Sequence, residues 1–204
     1  MDFKYAKILA MDNLKDTLNF IKLTQNFQKI KRVILVNGTD EQENDSEHSF
    51  QLALLAWYLI DSQKLDMDVN KAIKYSLVHD LVEVYAGDTY IYTQDANLKS
   101  SKPKREKEAA DRLRKEFPEF KDLHETIYEY EKKETPESKF VYALDKVLPL
   151  LNVYLDNGRT WKKMEITLDM IIKNKAHKVT LSPEVKKYFD NIIEILKLEQ
   201  QELF

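Results

Sequence analysis

The stretch "SLVHDLVEVYAGD", residues 76–88, sets His79 and Asp80 side by side in an apolar helical pattern and follows them with Glu83 and Asp88. Apolar residues at three- and four-residue spacing mark a helix that buries one face. Asp68 is placed to cap it and Gly87 takes the usual C-terminal glycine position, so the pattern predicts one helix over residues 69–86. That helix spans His79 to Glu83. Glu83 follows His79 by four residues and Asp80 by three, which puts all three on neighbouring parts of one surface. A core-forming helix carries such groups only at a cost unless each finds a partner.

The same periodicity extends in both directions. Only 3 glycines and 5 prolines punctuate the 204 residues, so the expected fold is an all-α helical bundle. A first helix is expected over residues 14–31, with Leu18, Ile21, Phe27 and Ile30 sharing a buried stripe. Asn37-Gly38 reads as a turn and Ser46 as the N-cap of a central helix, "EHSFQLALLAWYLIDS", apolar nearly all round. A polar, turn-rich connection follows Gly87 and is expected to be mobile and close to the end of the third helix. Pro103 suits the first turn of a charged helix that ends at Phe117. "FKDLHETIYEYEKKE" gives a further helix, and Thr135-Pro136 opens another that Asn157-Gly158 closes. Ser182 begins a terminal helix with Val185, Tyr188, Ile192, Ile195 and Leu196 on one side.

Composition narrows the chemistry. A hydrophobic share of 43% suffices for one domain of ordinary size, and the chain 1–204 is read as a single domain. A net charge of -3 provides no cationic field to attract nucleic acid or anionic lipid. With no cysteine, disulfides, zinc-thiolate sites and thiol nucleophiles are all excluded. Any metal must be held by nitrogen and oxygen. The opening "MDFKYAKILAMDNLKD" has neither a long apolar run nor the marks of a secretory leader, and no stretch reaches the roughly 20 apolar residues of a membrane span, so a cytoplasmic location is expected.

Four histidines occur, at 48, 79, 124 and 177. His124 and His177 stand among charged residues and are expected at the surface. His48 falls in the first turn of the central helix, and Asp145 interrupts "FVYALDKVLPLL", whose other residues suit a core. His48, His79, Asp80 and Asp145 are thus ligand types embedded in apolar helical surfaces. One divalent cation would partner all four. Two imidazoles and two carboxylates suit manganese, iron, cobalt, nickel or zinc, with magnesium less at home beside imidazole. Such a metal makes water more acidic and polarises a phosphoryl oxygen.

Three segments, "ENDSEHSFQLALLA", "VHDLVEVYAGDT" and "ETPESKFVYALDKVLPLL", appear in the order found in the 5'-deoxynucleotidase-like branch of the HD-domain metal-dependent phosphohydrolases, which the chain resembles. The likeness runs from about residue 14 to beyond Trp161, with the C-terminal helices packed on that core. It implies a single divalent metal on His48, His79, Asp80 and Asp145, a catalytic acid at Glu83 and a helper aspartate at Asp88. An arginine of the first helix that reaches the substrate phosphate in relatives best matches Arg32. The resemblance also implies a homodimer, to which "LHETIYEYEKK" is a candidate contributor. Two departures stand out. Relatives often carry a basic residue just ahead of "EN", where this chain reads Gln42-Glu43; and only His124 lies between the His-Asp pair and Asp145, which favours one metal over two.

The expected activity is removal of the 5'-phosphate from a nucleoside monophosphate, a deoxynucleotide above all. A pyrophosphohydrolase, another phosphomonoesterase, and a non-catalytic nucleotide-binding regulator remain alternatives on the same scaffold.

Overall fold

The computed structural model describes residues 12–204, so the reading of the opening residues 1–11 lies outside the described residues. The elements run α1 Asp12–Phe27, β1 Lys31–Leu35, β2 Gln42–Asn44, α2 Asp45–Ser62, α3 Val69–Val78, α4 Glu83–Ala86, α5 Ala96–Glu116 and α6 Lys121–Lys132. They continue as α7 Pro136–Leu155, α8 Arg159–Lys163, α9 Leu168–Val179, α10 Pro183–Leu198 and α11 Gln200–Leu203. The fold is all-helical apart from one small hairpin. Among the described residues no helix is long and apolar enough to cross a membrane.

Helices α2, α3, α7, α9 and α10 enclose the larger apolar core, where Leu52, Tyr75, Phe140, Leu144, Ile171 and Leu196 are at most 1% exposed. A second core joins α1, α5 and α6 to the turn after α3, through Leu23, Phe27, Leu81, Val82, Leu113 and Ile127. His79 and Asp80 therefore sit on the segment that links the two cores.

Several expected boundaries shift. The first helix stops at Phe27, and residues 31–35 instead form β1, antiparallel to β2 with Lys31 opposite Asn44 and Leu35 opposite Gln42. The β-branched run "RVIL" ahead of Asn37-Gly38 is hairpin chemistry and overrides the helical continuation. The buried stripe of α1 has a different phase: Leu23 and Phe27 are buried with Phe20 packed beside them, whereas Leu18 and Ile21 are each 48% exposed. In α10, Ile195 likewise faces outward while Val185, Ile192 and Leu196 are buried. Helix α5 begins seven residues before Pro103, because Asp95 accepts from the Leu98 amide at 2.9 Å and caps it there. Half of the connection expected to be loop is therefore helix.

Candidate metal centre

His48 is aimed by a capping box. Asn44, not Ser46, is the N-cap of α2: its Oδ1 accepts from the amides of Ser46 at 3.0 Å and Glu47 at 3.1 Å, and Glu47 Oε2 accepts from the Asn44 amide at 2.9 Å. This fixes the first turn and leaves His48 fully buried. Asp145 comes from the middle of α7, which packs against both α2 and α3.

His79 lies where α3 ends, about two turns short of the end of the helix expected over residues 69–86. The chain continues through tighter i→i+3 bonds, Leu81 to Val78 at 3.1 Å and Glu83 to Asp80 at 2.8 Å, before α4 closes at Gly87. No glycine or proline marks the change. At the break His79 Nδ1–H donates to the Ser76 carbonyl at 2.8 Å, the oxygen a continuing α-helix offers to the Asp80 amide, so the ring competes with the helical ladder there. The same bond fixes the tautomer, leaving the Nε2 lone pair free to meet a cation.

The four expected ligands converge. One donor atom from each of His48, His79, Asp80 and Asp145 lies within 4.8 Å of all the others. His48 Nε2 is 3.0 Å from Asp145 Oδ1, and His79 Nε2 is 3.0 Å from Asp80 Oδ2 and 3.7 Å from Asp145 Oδ1. Yet among the described residues His79 Nε2 is buried without a hydrogen-bond partner. A lone pair surrounded by carboxylate oxygens is repulsive unless a positive charge lies among them, so this donor set fits a divalent cation.

Arg32 enters from β1 rather than from a helix. Its Nη1 donates to Asp80 Oδ2 at 2.9 Å and to Asp45 Oδ1 at 3.1 Å, and its Nε is 3.3 Å from Glu43 Oε2. Glu43 thus sets a further acid against Arg32, and it also lies 3.6 Å from His48 Nδ1. Burial would raise the Asp80 carboxyl, but the nearby His79 ring and the Arg32 guanidinium outweigh it and hold the group well below the usual range. Burial likewise opposes ionisation of Asp145, whose carboxyl is nonetheless held well below its ordinary value by Lys146 and His48. Lys146 Nζ donates to Asp145 Oδ2.

Glu83 is 2% exposed, with Oε1 accepting from Lys102 Nζ at 3.2 Å and Oε2 lacking any partner. Burial, reinforced by Asp80 and Asp88, pushes its carboxyl up to about 10. Asp88 is raised chiefly by burial and lines the same cavity, a space of about 590 Å³ that also reaches Arg32, His79, Asp80, Glu83 and Asp145. His177 is exposed as expected; His124 is half-buried, with Nε2 on the Phe117 carbonyl at 2.7 Å.

Some residues of the site escaped the sequence reading. Asp45 announces itself only as an acid in a helix's first turn, and Lys102 sits in a segment expected to be loop. Lys146 adjoins a ligand and was readable. Lys175 and Lys178 reach the cavity from α9, and nothing local in "IIKNKAHKV" signals it.

Fold and site together define an all-helical domain built around a mixed imidazole and carboxylate cation centre. A family model described as the HD domain matches residues 24–186. The chain belongs to the HD-domain family. It is 31% identical over 132 residues to the mouse (Mus musculus) protein 5'-deoxynucleotidase HDDC2, covering 63% of this chain and 64% of that protein's length. The match to 5'-deoxynucleotidase hdd1 of Schizosaccharomyces pombe is 23% identical over 195 residues and covers 93% of this chain and 91% of that one. A solved structure titled "predicted metal-dependent phosphohydrolase", from Magnetospirillum magnetotacticum MS-1, superposes with a TM-score of 0.76 at 28% identity, covering 89% of this chain and 94% of that one.

Proposed function

We propose that this protein is a metal-dependent phosphohydrolase that removes the 5'-phosphate from deoxynucleoside monophosphates. The observation that carries the proposal is the convergence of four donor atoms within 4.8 Å, with a buried His79 Nε2 unpartnered among the described residues, where His79, Asp80 and Asp145 line a cavity large enough for a nucleotide. Similarity to proteins named 5'-deoxynucleotidase supports the substrate class.

In this reading His48, His79, Asp80 and Asp145 hold one divalent cation. When bound there, manganese, cobalt, iron, nickel, zinc or magnesium supplies positive charge to phosphoryl oxygens and makes water a better nucleophile. The chain's own groups do the rest. Glu83, with one oxygen held by Lys102 and the other free, manages the proton exchanged with the reacting oxygens. Asp88 orients groups at the cavity mouth. Arg32 neutralises the acids of the floor and contributes to phosphate binding, although its Nη1 is already shared by Asp45 and Asp80 and offers no bidentate grip.

We further infer that the substrate is a free nucleotide rather than nucleic acid, which a net charge of -3 supports, and that the work is cytoplasmic. A second copy of the chain is the protein partner we propose. Phe50, Leu54, Trp57 and Tyr58 of α2 are each at least 47% exposed and give a broader apolar face than Tyr128 of α6. Light scattering tests the dimer. The activity is tested by assaying phosphate against pyrophosphate release from a panel of nucleoside mono- and triphosphates with manganese, cobalt and magnesium. Release of pyrophosphate alone would transfer the site to the pyrophosphohydrolase reading.

A further inference from the structure

Lys175 and Lys178 stand one turn apart on α9 and both line the cavity beside the metal centre. Most cations around that cavity are matched by acids: Arg32 by Asp80, Lys102 by Glu83, Lys133 by Glu131 and Lys146 by Asp145. Lys175 and Lys178 are not, since no carboxylate among the described residues lies in ion-pair contact with either. Lys175 is only 6% exposed, and its one polar contact is a hydrogen bond from Nζ to the Lys146 carbonyl at 2.9 Å, close to where Pro149 interrupts the α7 ladder. A buried ammonium without a counter-charge is costly, and a leucine or methionine would fill that part of α9 at no such cost.

The electrostatic balance asks for an anion. Lys175 Nζ rests on the carbonyl of Lys146, the residue next to Asp145, so this end of α9 stands on the Asp145 side of the cavity. Asp145 is already neutralised by Lys146 and His48, and a dication among the four ligands would add two further positive charges beside the pair. Arg32 cannot carry an incoming phosphate alone, because its Nη1 and Nε face Asp45, Asp80 and Glu43 and leave only Nη2 free. A phosphomonoester dianion presents three terminal oxygens, each a strong acceptor for charged N–H groups.

We infer that Lys175 and Lys178 form an anion subsite that takes the terminal oxygens of the substrate phosphate next to the metal centre. The inference rests on the phosphohydrolase reading for its substrate, yet the subsite itself is defined by phosphate binding and not by turnover. Burial and the neighbouring Lys146 push the Lys175 ammonium down to about 7, consistent with a group that waits for an anion.

The test is binding of inorganic phosphate to the manganese-loaded protein, measured by calorimetry for the wild type, Lys178→Gln, Lys175→Met and the double variant. Manganese binding is measured in parallel to show that fold and metal centre are intact. Loss of one charged contact should weaken phosphate binding about tenfold, and loss of both about a hundredfold, with manganese affinity unchanged. Lys178 is half-buried at the cavity edge, so Lys178→Gln keeps the test valid even if Lys175→Met perturbs folding. Wild-type affinity for phosphate in Lys178→Gln and the double variant would overturn the subsite, as would a wild type that binds no phosphate. If no nucleoside monophosphate is hydrolysed while lysine-dependent phosphate binding persists, the proposed activity falls and the subsite stands.

Discussion

His48 Nε2 meets Asp145 Oδ1 at 3.0 Å across 97 positions of the chain. The contact ties the first turn of α2 to the middle of α7, and the His79-Asp80 turn closes the group from α3. Because the cation would be gripped by three helices at once, its affinity reports how well they are assembled.

Asp145→Asn keeps the shape of this joint and removes its charge. Manganese affinity should fall by more than the ~100-fold typical of losing an outer hydrogen-bond partner of a metal ligand. Metal analysis of the purified variant, followed by a manganese titration, checks this; retained stoichiometric manganese would remove Asp145 from the ligand set.

Glu83→Gln should separate binding from chemistry. Glu83 Oε2 has no partner among the described residues, and the amide oxygen of glutamine can still accept from Lys102, so the substitution chiefly alters the proton inventory. We expect manganese to bind as in the wild type while kcat drops by about 10²- to 10⁴-fold. Steady-state turnover of a deoxynucleoside monophosphate provides the measurement, and a wild-type kcat would exclude Glu83 from proton transfer.

Arg32→Met should destabilise the cation-free protein. Glu43, Asp45 and Asp80 lose the guanidinium they share, and breaking a buried charge network of this kind costs about 3–5 kcal/mol. Urea denaturation reads the loss. Added manganese should narrow the gap, since it restores positive charge on Asp80; equal midpoints for wild type and variant in chelator would contradict the role given to Arg32.

Chelation should lower the thermal midpoint of the wild type as well as abolish turnover. Free manganese at ~100 times its Kd stabilises the folded state by about 2.7 kcal/mol through linkage. For a chain of this size that corresponds to roughly 5–10 °C. Scanning calorimetry with and without manganese decides it, and coincident transitions would argue against a cation in the centre.

The clustering residues were legible in sequence as candidate ligands because each is a polar residue in a helix that otherwise buries apolar side chains; Asp145 amid "VYAL" and "KVLPLL" is the clearest case. The hairpin that carries Arg32 was not, because "KRVIL" is too short to reveal its period and continues the apolar pattern of α1. The break at His79 was hidden for another reason: it is made by a side chain and a carbonyl, not by a glycine or proline. Lys175 and Lys178 were illegible because their meaning depends on lining the cavity without an acid in ion-pair contact among the described residues, and only the tertiary arrangement shows that.

The hydrogen bond from His79 to Ser76 makes the bend that aims Asp80 and Glu83 depend on the very ring it carries. Trimming that ring to a methyl group would remove the competitor for this oxygen and favour its capture by the Asp80 amide, drawing the backbone toward ordinary helical pitch. Two carboxylates would then shift together with the lost imidazole. An alanine at this position therefore re-aims the whole apparatus instead of subtracting one arm from it, and a silent His79→Ala protein would say little about the imidazole alone.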